Sequence, residues 1–371
     1  MRALRLLAWK SDPVLVDVPD PGPGPGEVVV RIGAAGVCHS DIHLMHEFDG
    51  GLPWAPPFTL GHENAGWVYA VGPGVHHLEI GQPVAIYGPW GCGRCTHCAL
   101  GIETLCEDPG AAPIVSGGGG LGLDGGMADL MLVPSARQVL PLPAGLDPIM
   151  AAPLTDAGLT PYHAVRRSWS KLGPTATAVV IGAGGLGHMA VQILKATTSA
   201  RIIAVDRRDD ALHLAHDVGA DLTVMADDPQ AAAQIRAYTR GVGADVVLDF
   251  VGSDSTLALA AQVARTMADL TIVGLGGGTL PVSFFGVPYE VSIQTTYWGS
   301  RPELIEVLEL GARGAIVPHV VTFDLEHAVD AYRLLELGEL SGRAVVVPNG
   351  SLVSAVPHQP GREGVTAAQA Q

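Results

Sequence analysis

Cys92, Cys95, Cys98 and Cys106 fall inside one fifteen-residue window, spaced three, three and eight apart. Four thiolates at such spacings can close on one ion. A tetrahedral zinc with four sulfur ligands has no position left for substrate, so this would be a structural site. The chain has five cysteines, and this window holds all but one. Two disulfides are the competing reading, but a metal explains the Cys-x-x-Cys-x-x-Cys run more simply. Clustered thiols kept as ligands fit a reducing, cytoplasmic compartment.

The fifth cysteine, Cys38, belongs to a second set. Thiolate from Cys38 and imidazole from His62 suit zinc, and a third ligand would leave one position for water or a substrate oxygen. Two residues compete for that third place. Asp156, in Ala151-Ala-Pro-Leu-Thr-Asp156, lies just before the nucleotide-binding segment, where an interdomain site would form. Glu63 follows His62 directly, and it also suits a transient or outer position. Taken singly, each has a plainer explanation: an inert buried thiol, a structural histidine, a solvated glutamate and a helix-capping aspartate.

A third motif is Val179-Val-Ile181-Gly182-Ala-Gly184-Gly185-Leu186-Gly187. It leaves an apolar strand and enters a helix. Gly182 permits a tight turn, Gly184 lets backbone approach a pyrophosphate, and Gly187 permits close helix packing. The helix N-terminus adds unpaired amides that attract the anion. Asp206 ends the next strand, nineteen residues past Gly187. Its carboxylate can accept from a ribose diol and would repel a 2′-phosphate, which favours NAD over NADP. Arg207 and Arg208 follow and weaken that exclusion. They suit the adenine face, the pyrophosphate or a solvated surface.

These groups need a scaffold to hold them. At 371 residues the chain is long for one core, so two domains are expected. Residues 1–150 show β-rich runs at 28–34, 65–71 and 84–87, separated by glycine and proline. Segment 107–126, rich in glycine and including Ser116, is expected to be a loop. After Pro174 the pattern alternates. Strands are expected at 177–181, 201–205, 222–224, 246–250 and 270–273. Helices are expected at 185–196, 209–218, 229–239 and 255–267. That is a parallel sheet covered by helices. Further helices are expected at 302–313 and 326–337. A last strand at 343–348 could rejoin the first domain.

Composition narrows the partners. A formal charge of −16 argues against a bare nucleic-acid surface. The apolar stretches are too short to cross a bilayer, and the apolar start is ended by Lys10, Ser11 and Asp12. No nucleic-acid or membrane partner is expected.

Together these motifs resemble the zinc-dependent medium-chain alcohol dehydrogenases, most of all bacterial NAD-dependent secondary-alcohol dehydrogenases. The resemblance rests on Gly36-Val-Cys38-His39-Ser40-Asp41-Ile-His43, Gly61-His62-Glu63-Asn-Ala-Gly66, the cysteine window and the glycine motif, in that order along the chain. It spans about residues 1–349. It implies an α/β two-domain fold, a β-rich GroES-like catalytic domain with an inserted Rossmann-type parallel-sheet domain. The expected boundaries are 1–153 for the catalytic domain with its zinc lobe at 91–107 and 154–296 for the NAD domain. Residues 297–349 would return to the catalytic domain, with a disordered tail at 350–371.

The resemblance also implies roles. Cys38, His62 and Asp156 would hold catalytic zinc, with aspartate where many members have cysteine. Asp41 would orient His62. Ser40 and His43 would relay the proton, while His39 and Arg343 would lie near cofactor phosphate and Thr160 near the nicotinamide. Phe48, Trp54, Tyr297 and Trp298 would wall an apolar pocket. The implied reaction is reversible oxidation of small alkyl or aryl secondary alcohols to ketones with NAD, one catalytic and one structural zinc per chain, in a homodimer or homotetramer. Primary, aryl or polyol substrates on the same fold remain alternatives, as does a non-catalytic NAD-binding regulator.

Overall fold

The computed structural model describes residues 1–112, 114 and 117–350. The expected extension after 350, and Ser116 of the glycine-rich segment, lie outside the described residues.

One sheet has six parallel strands. Their spatial order is Leu222–Met225, Arg201–Asp206, Thr177–Ile181, Ala244–Asp249, Ala264–Ile272 and Ser292–Thr295. The chain builds outward from Thr177–Ile181 on one side, then crosses to Ala244–Asp249 on the other. This order puts a ligand crevice beyond the carboxyl ends of those two central strands. Thr177–Ile181 is buried at every position, as a strand covered on both faces must be.

The fourth helix of this unit is shorter than its sequence pattern suggests. Ser253 and Thr256 form a capping box that starts Asp254–Val263, and the strand begins at Ala264. The run Ala-Gln-Val-Ala-Arg-Thr-Met carries no glycine or proline to mark the change. Sheet pairing through Ala264 with Ala244 decides it.

The second sheet has seven strands. Along one path run Val139–Pro141, Pro83–Ile86, Glu63–Val71, Val28–Gly36, Arg343–Val347 and Val320–Asp324, with Leu130–Val133 also paired to Val28–Gly36. The late strand Arg343–Val347 thus sits beside the early strand Val28–Gly36, antiparallel, with Val345 opposite Gly36.

Register in this sheet builds one edge of the site. Gly36 pairs with Glu63. Cys38 follows the end of one strand and His62 precedes the start of the other, so both emerge at the same end of the sheet. A Cβ on Gly36 would sit 1.9 Å from a Glu63 carboxylate oxygen, so glycine makes room for that group.

The glycine-rich segment lies against this edge. Gly125, Gly126 and Met127 donate backbone N–H groups to the carbonyls of Thr59, Gly61 and Leu60 at 2.9 Å. Gly120 has φ +80, and a Cβ there would lie 2.5 Å from the Gly61 carbonyl carbon and 2.8 Å from His62 N. The expectation of an ordinary loop therefore understates this segment. Its glycines allow direct packing behind His62.

Candidate active site

Cys38 is the N-cap of helix His39–His46. Asp41, at the third position of that helix, accepts the Cys38 backbone N–H at 3.3 Å with Oδ2. Its other oxygen lies 3.1 Å from His62 Nδ1. One buried carboxylate therefore fixes both the turn that carries Cys38 and the ring of His62. A ligand histidine commonly has such a partner on its second nitrogen, leaving Nε2 for metal.

Asp156 reaches the same place from a later segment of the chain. It sits in a π-helical turn, Leu154–Gly158, between helices Pro148–Pro153 and Leu159–Arg167. Such wide turns recur at functional sites. Pro161 has no N–H to give Ala157 O, which weakens the regular ladder here. On the other side of the same residue, the Ala157 N–H donates to Glu63 Oε1 at 3.2 Å. Asp156 Oδ2 lies 3.5 Å from His62 Nε2, and its Oδ1 accepts the Thr160 hydroxyl.

Ligand atoms of Cys38, His62, Glu63 and Asp156 all lie within 4.8 Å of one another. The charges fit a cation among them. Burial raises the Cys38 thiol, but Arg343 and His62 lower it further, to about 7. Burial also pushes the Glu63 carboxyl up, against the pull of Arg343, with Asp156 and Cys38 adding to the rise. For Asp156, burial is outweighed by His62, which holds it below the usual carboxylate range. Thiol, imidazole and carboxylate donors gathered in one largely buried cluster match the donor types of a zinc site.

The cysteine window forms the second cluster, with sulfur atoms also within 4.8 Å of one another. All five cysteines are free thiols, so the disulfide reading does not hold here. Cys92 and Cys98 Sγ are 3.9 Å apart. Two sulfurs on a tetrahedral zinc, each about 2.3 Å from it, would be about 3.8 Å apart. Backbone N–H groups of Cys95, Cys98 and Glu107 point at the sulfurs of Cys92 and Cys95 at 3.4 to 3.5 Å. Such bonds from Cys98 and Glu107 lower the Cys95 thiol to about 6. Arg137 braces the lobe by donating to the carbonyls of Gly93 and Cys98 and to Glu103.

In the glycine motif, Gly182 has φ +86, which suits its tight turn, and a Cβ on Gly187 would lie 1.8 Å from Gly182 O. Space around Gly184 is open to 4 Å. Leu186 caps helix Gly187–Thr197. A Cβ on Gly185 would meet Arg343 Nη1 at 2.8 Å, so this arginine borders the glycine turn. Asp206 accepts the N–H of Ala183 at 2.7 Å and of Arg208 at 2.9 Å. Arg207 is exposed. Arg208 is occupied by Asp210 and the Leu340 carbonyl.

Ser40 Oγ is 3.6 Å from Cys38 Sγ. His43 lies one helical turn on from Ser40, on the same face. His43 Nδ1 is 2.8 Å from Glu47, but no aligned hydrogen bond forms. His39 is exposed at the start of this helix, and desolvation and Arg343 lower its pKa.

The four aromatic residues separate. Trp298 is buried, with its ring centroid 5.7 Å from that of His62, edge-on. Its backbone has φ +54, and its Nε1 donates to Thr155 O at 3.0 Å. A bulky residue held there is strained, a state that concentrates at functional sites. Tyr297 is exposed beside it, with ring centroids 5.9 Å apart. Phe48 and Trp54 instead pack around Trp9, at 6.3 and 5.9 Å. Tyr332, absent from the sequence-based set, donates to Asp41 Oδ2 at 2.9 Å. Its distance along the chain left no local signal.

Two family profiles match: "Alcohol dehydrogenase GroES-like domain" over residues 24–144 and "Zinc-binding dehydrogenase" over 185–313. The chain is 38% identical over 361 residues to an NAD-dependent alcohol dehydrogenase of Sulfurisphaera tokodaii, covering 94% of this chain and all of that protein. Its structure resembles the alcohol dehydrogenase of the hyperthermophilic archaeon Aeropyrum pernix, with a TM-score of 0.86 and 37% identity, covering 94% and 100% of the two chains. It also resembles the acetophenone reductase of Geotrichum candidum in complex with NAD, with a TM-score of 0.80 and 31% identity over 94% and 97%.

Proposed function

The chain belongs to the zinc-type medium-chain alcohol dehydrogenases that use NAD, and from that premise we propose that it interconverts small alkyl or aryl secondary alcohols and their ketones. The observation that carries the substrate class is Trp298, a buried ring packed edge-on against His62. It gives the reacting oxygen an apolar neighbour where a polyol would need hydrogen-bonding groups. The likeness to an acetophenone reductase supports the same class.

When bound, zinc supplies Lewis acidity and orientation, and NAD supplies the hydride acceptor. Cys38, His62 and Asp156 would hold the catalytic ion, since the oxygens of Glu63 are engaged by Arg343 and Ala157 N–H. Cys92, Cys95, Cys98 and Cys106 would hold the structural one. Asp41 keeps His62 in the tautomer that frees Nε2. Ser40 would accept the alcohol proton as its own hydroxyl proton moves on toward His43, whose ring is 21% exposed and can release a proton to water. Gly182–Gly187 receives the pyrophosphate at the helix start, and Asp206 the ribose. Tyr297 and Trp298 would wall the substrate, while Phe48 and Trp54 pack around Trp9.

Val282, Phe284, Phe285 and Tyr289 are exposed beside the edge strand Ser292–Thr295, and Phe285 is 85% exposed. This surface supports a homo-oligomer built through the NAD domain. No helix among the described residues is long and apolar enough to cross a membrane. Five free thiols favour the cytoplasm.

The test is a comparison of initial NADH formation on 2-propanol, 1-phenylethanol, benzyl alcohol and sorbitol. Higher kcat/KM for the two secondary alcohols supports the assignment. Preference for sorbitol or benzyl alcohol moves the substrate to a polyol or a primary alcohol.

A further inference from the structure

Asp41 is fully buried, and each of its oxygens has a separate task. Oδ1 lies 3.1 Å from His62 Nδ1. Oδ2 accepts from Cys38 N at 3.3 Å and from the Tyr332 hydroxyl at 2.9 Å. Tyr332 is 3% exposed and stands on helix Ala328–Glu336, which packs against the helix that carries Asp41. It is 291 residues from Asp41 in the chain. No step of the proposed reaction uses it.

A carboxylate on one rotatable bond can turn and exchange its oxygens. The Cys38 N–H bond is long for a neutral donor and holds Oδ2 weakly. The phenol supplies a shorter bond to an ionised acceptor, which is the stronger kind. With Oδ2 held from two sides, Oδ1 faces His62 at a set angle. The ring must then donate from Nδ1 and keep the Nε2 lone pair free.

We propose that Tyr332 is a positioning residue for the metal centre: its hydroxyl holds the far oxygen of Asp41 and so sets the tautomer and angle at which His62 meets zinc. This rests on the reading of Cys38, His62 and Asp156 as a zinc site. Tyr332 touches neither substrate nor cofactor, so its effect should appear in metal retention before it appears in chemistry.

The experiment uses full-length, zinc-loaded protein and follows zinc release into excess chelator. Cobalt-exchanged protein reports the ligand field in parallel. Tyr332→Phe removes only the hydroxyl, and Tyr332→Leu also removes the ring. The expected result is release from the Cys38–His62 site about tenfold faster in Tyr332→Phe, the scale seen for outer partners of metal ligands. The cobalt bands should shift and release from the cysteine lobe stay as in wild type, with the Tm lowered only by the loss of one buried hydrogen bond. Tyr332→Leu should match that release rate with a lower Tm. Release in Tyr332→Phe equal to wild type, or faster release from both sites together, overturns the proposal. Wild-type protein that holds zinc at the cysteine lobe alone overturns the zinc-site reading and this inference with it.

Discussion

The guanidinium of Arg343 lies buried against the carboxylate of Glu63, with Nε 3.0 Å from Oε2 and Nη2 on the other oxygen. The two side chains are 4% and 0% exposed. Arg343 also borders Gly185, so one residue touches both Glu63 and the glycine turn. Breaking such a pair leaves a buried charge alone and costs about 3–5 kcal/mol, whereas replacing both partners with neutral groups is often tolerated. Arg343→Met should lose about that much stability. Glu63→Gln combined with Arg343→Met should recover most of it, while KM for NAD stays raised. Chemical denaturation and NAD kinetics on the two variants check this.

Asp206 is anchored by the N–H groups of Ala183 and Arg208, which leaves its remaining lone pairs for a ribose. Arg207 is exposed beside it, whereas Arg208 is engaged by Asp210. Asp206→Asn removes the charge that repels a 2′-phosphate and leaves Arg207 to attract one. The ratio of kcat/KM for NADP to that for NAD should rise about tenfold, or about 1.4 kcal/mol. An unchanged ratio would remove Asp206 from cofactor selection.

Gly120 offers a test of the packing behind His62. Alanine there meets the Gly61 backbone at 2.5 Å and also requires a left-handed conformation at φ +80. The strain costs about 1–2 kcal/mol. The larger effect should be on chemistry, because a ligand displaced by about 1 Å can lose about 100-fold in rate. Gly120→Ala should therefore lower kcat far more than Tm. Gly110→Ala, at a position with open space, is the control.

What could be read from the chain alone follows the range of each interaction. The cysteine cluster lies in one short window, and the glycine motif is strand, turn and helix in succession, so local spacing carries both. Cys38 and His62 are separated in sequence, yet the Gly36–Glu63 register that joins them lies in strands with clear β patterns. Asp156 had a candidate role, but the π-helical turn that aims it depends on Pro161 and on Glu63 taking the Ala157 N–H. Tyr332 left no signal, because its partner is 291 residues away. The glycine run at 117–126 looked loose because glycine marks flexibility and close packing equally well. The helix expected through 267 stops at Val263 because strand pairing outweighs a run that suits either state.

His188 follows the glycine motif and is fully buried. Its Nδ1 lies 2.9 Å from Gly184 O, and its Nε2 accepts the His319 N–H at 3.2 Å. Neutral imidazole satisfies both contacts, and burial lowers its pKa from 6.5 to about 4. Between those values the unfolded chain binds a proton that the folded chain does not. The stability present above pH 6.5 is therefore lost as pH falls through about 4. In His188→Gln, the loss of unfolding free energy between pH 7 and pH 4.5 should be smaller than in wild type by about 2–3 kcal/mol. Parallel denaturation curves at the two pH values decide it. An equal loss in both proteins would mean that His188 is not the group that titrates.

Metal removal tests the central claim most directly. NADH formation from 1-phenylethanol should be measured on protein of known zinc content, then after exhaustive chelation, then after zinc is returned. Two clusters of ligands predict two zinc ions per chain in the active protein. Activity should disappear as the Cys38–His62–Asp156 site is emptied and return when zinc is restored to it. Full activity after complete removal of metal would contradict a zinc-dependent alcohol dehydrogenase.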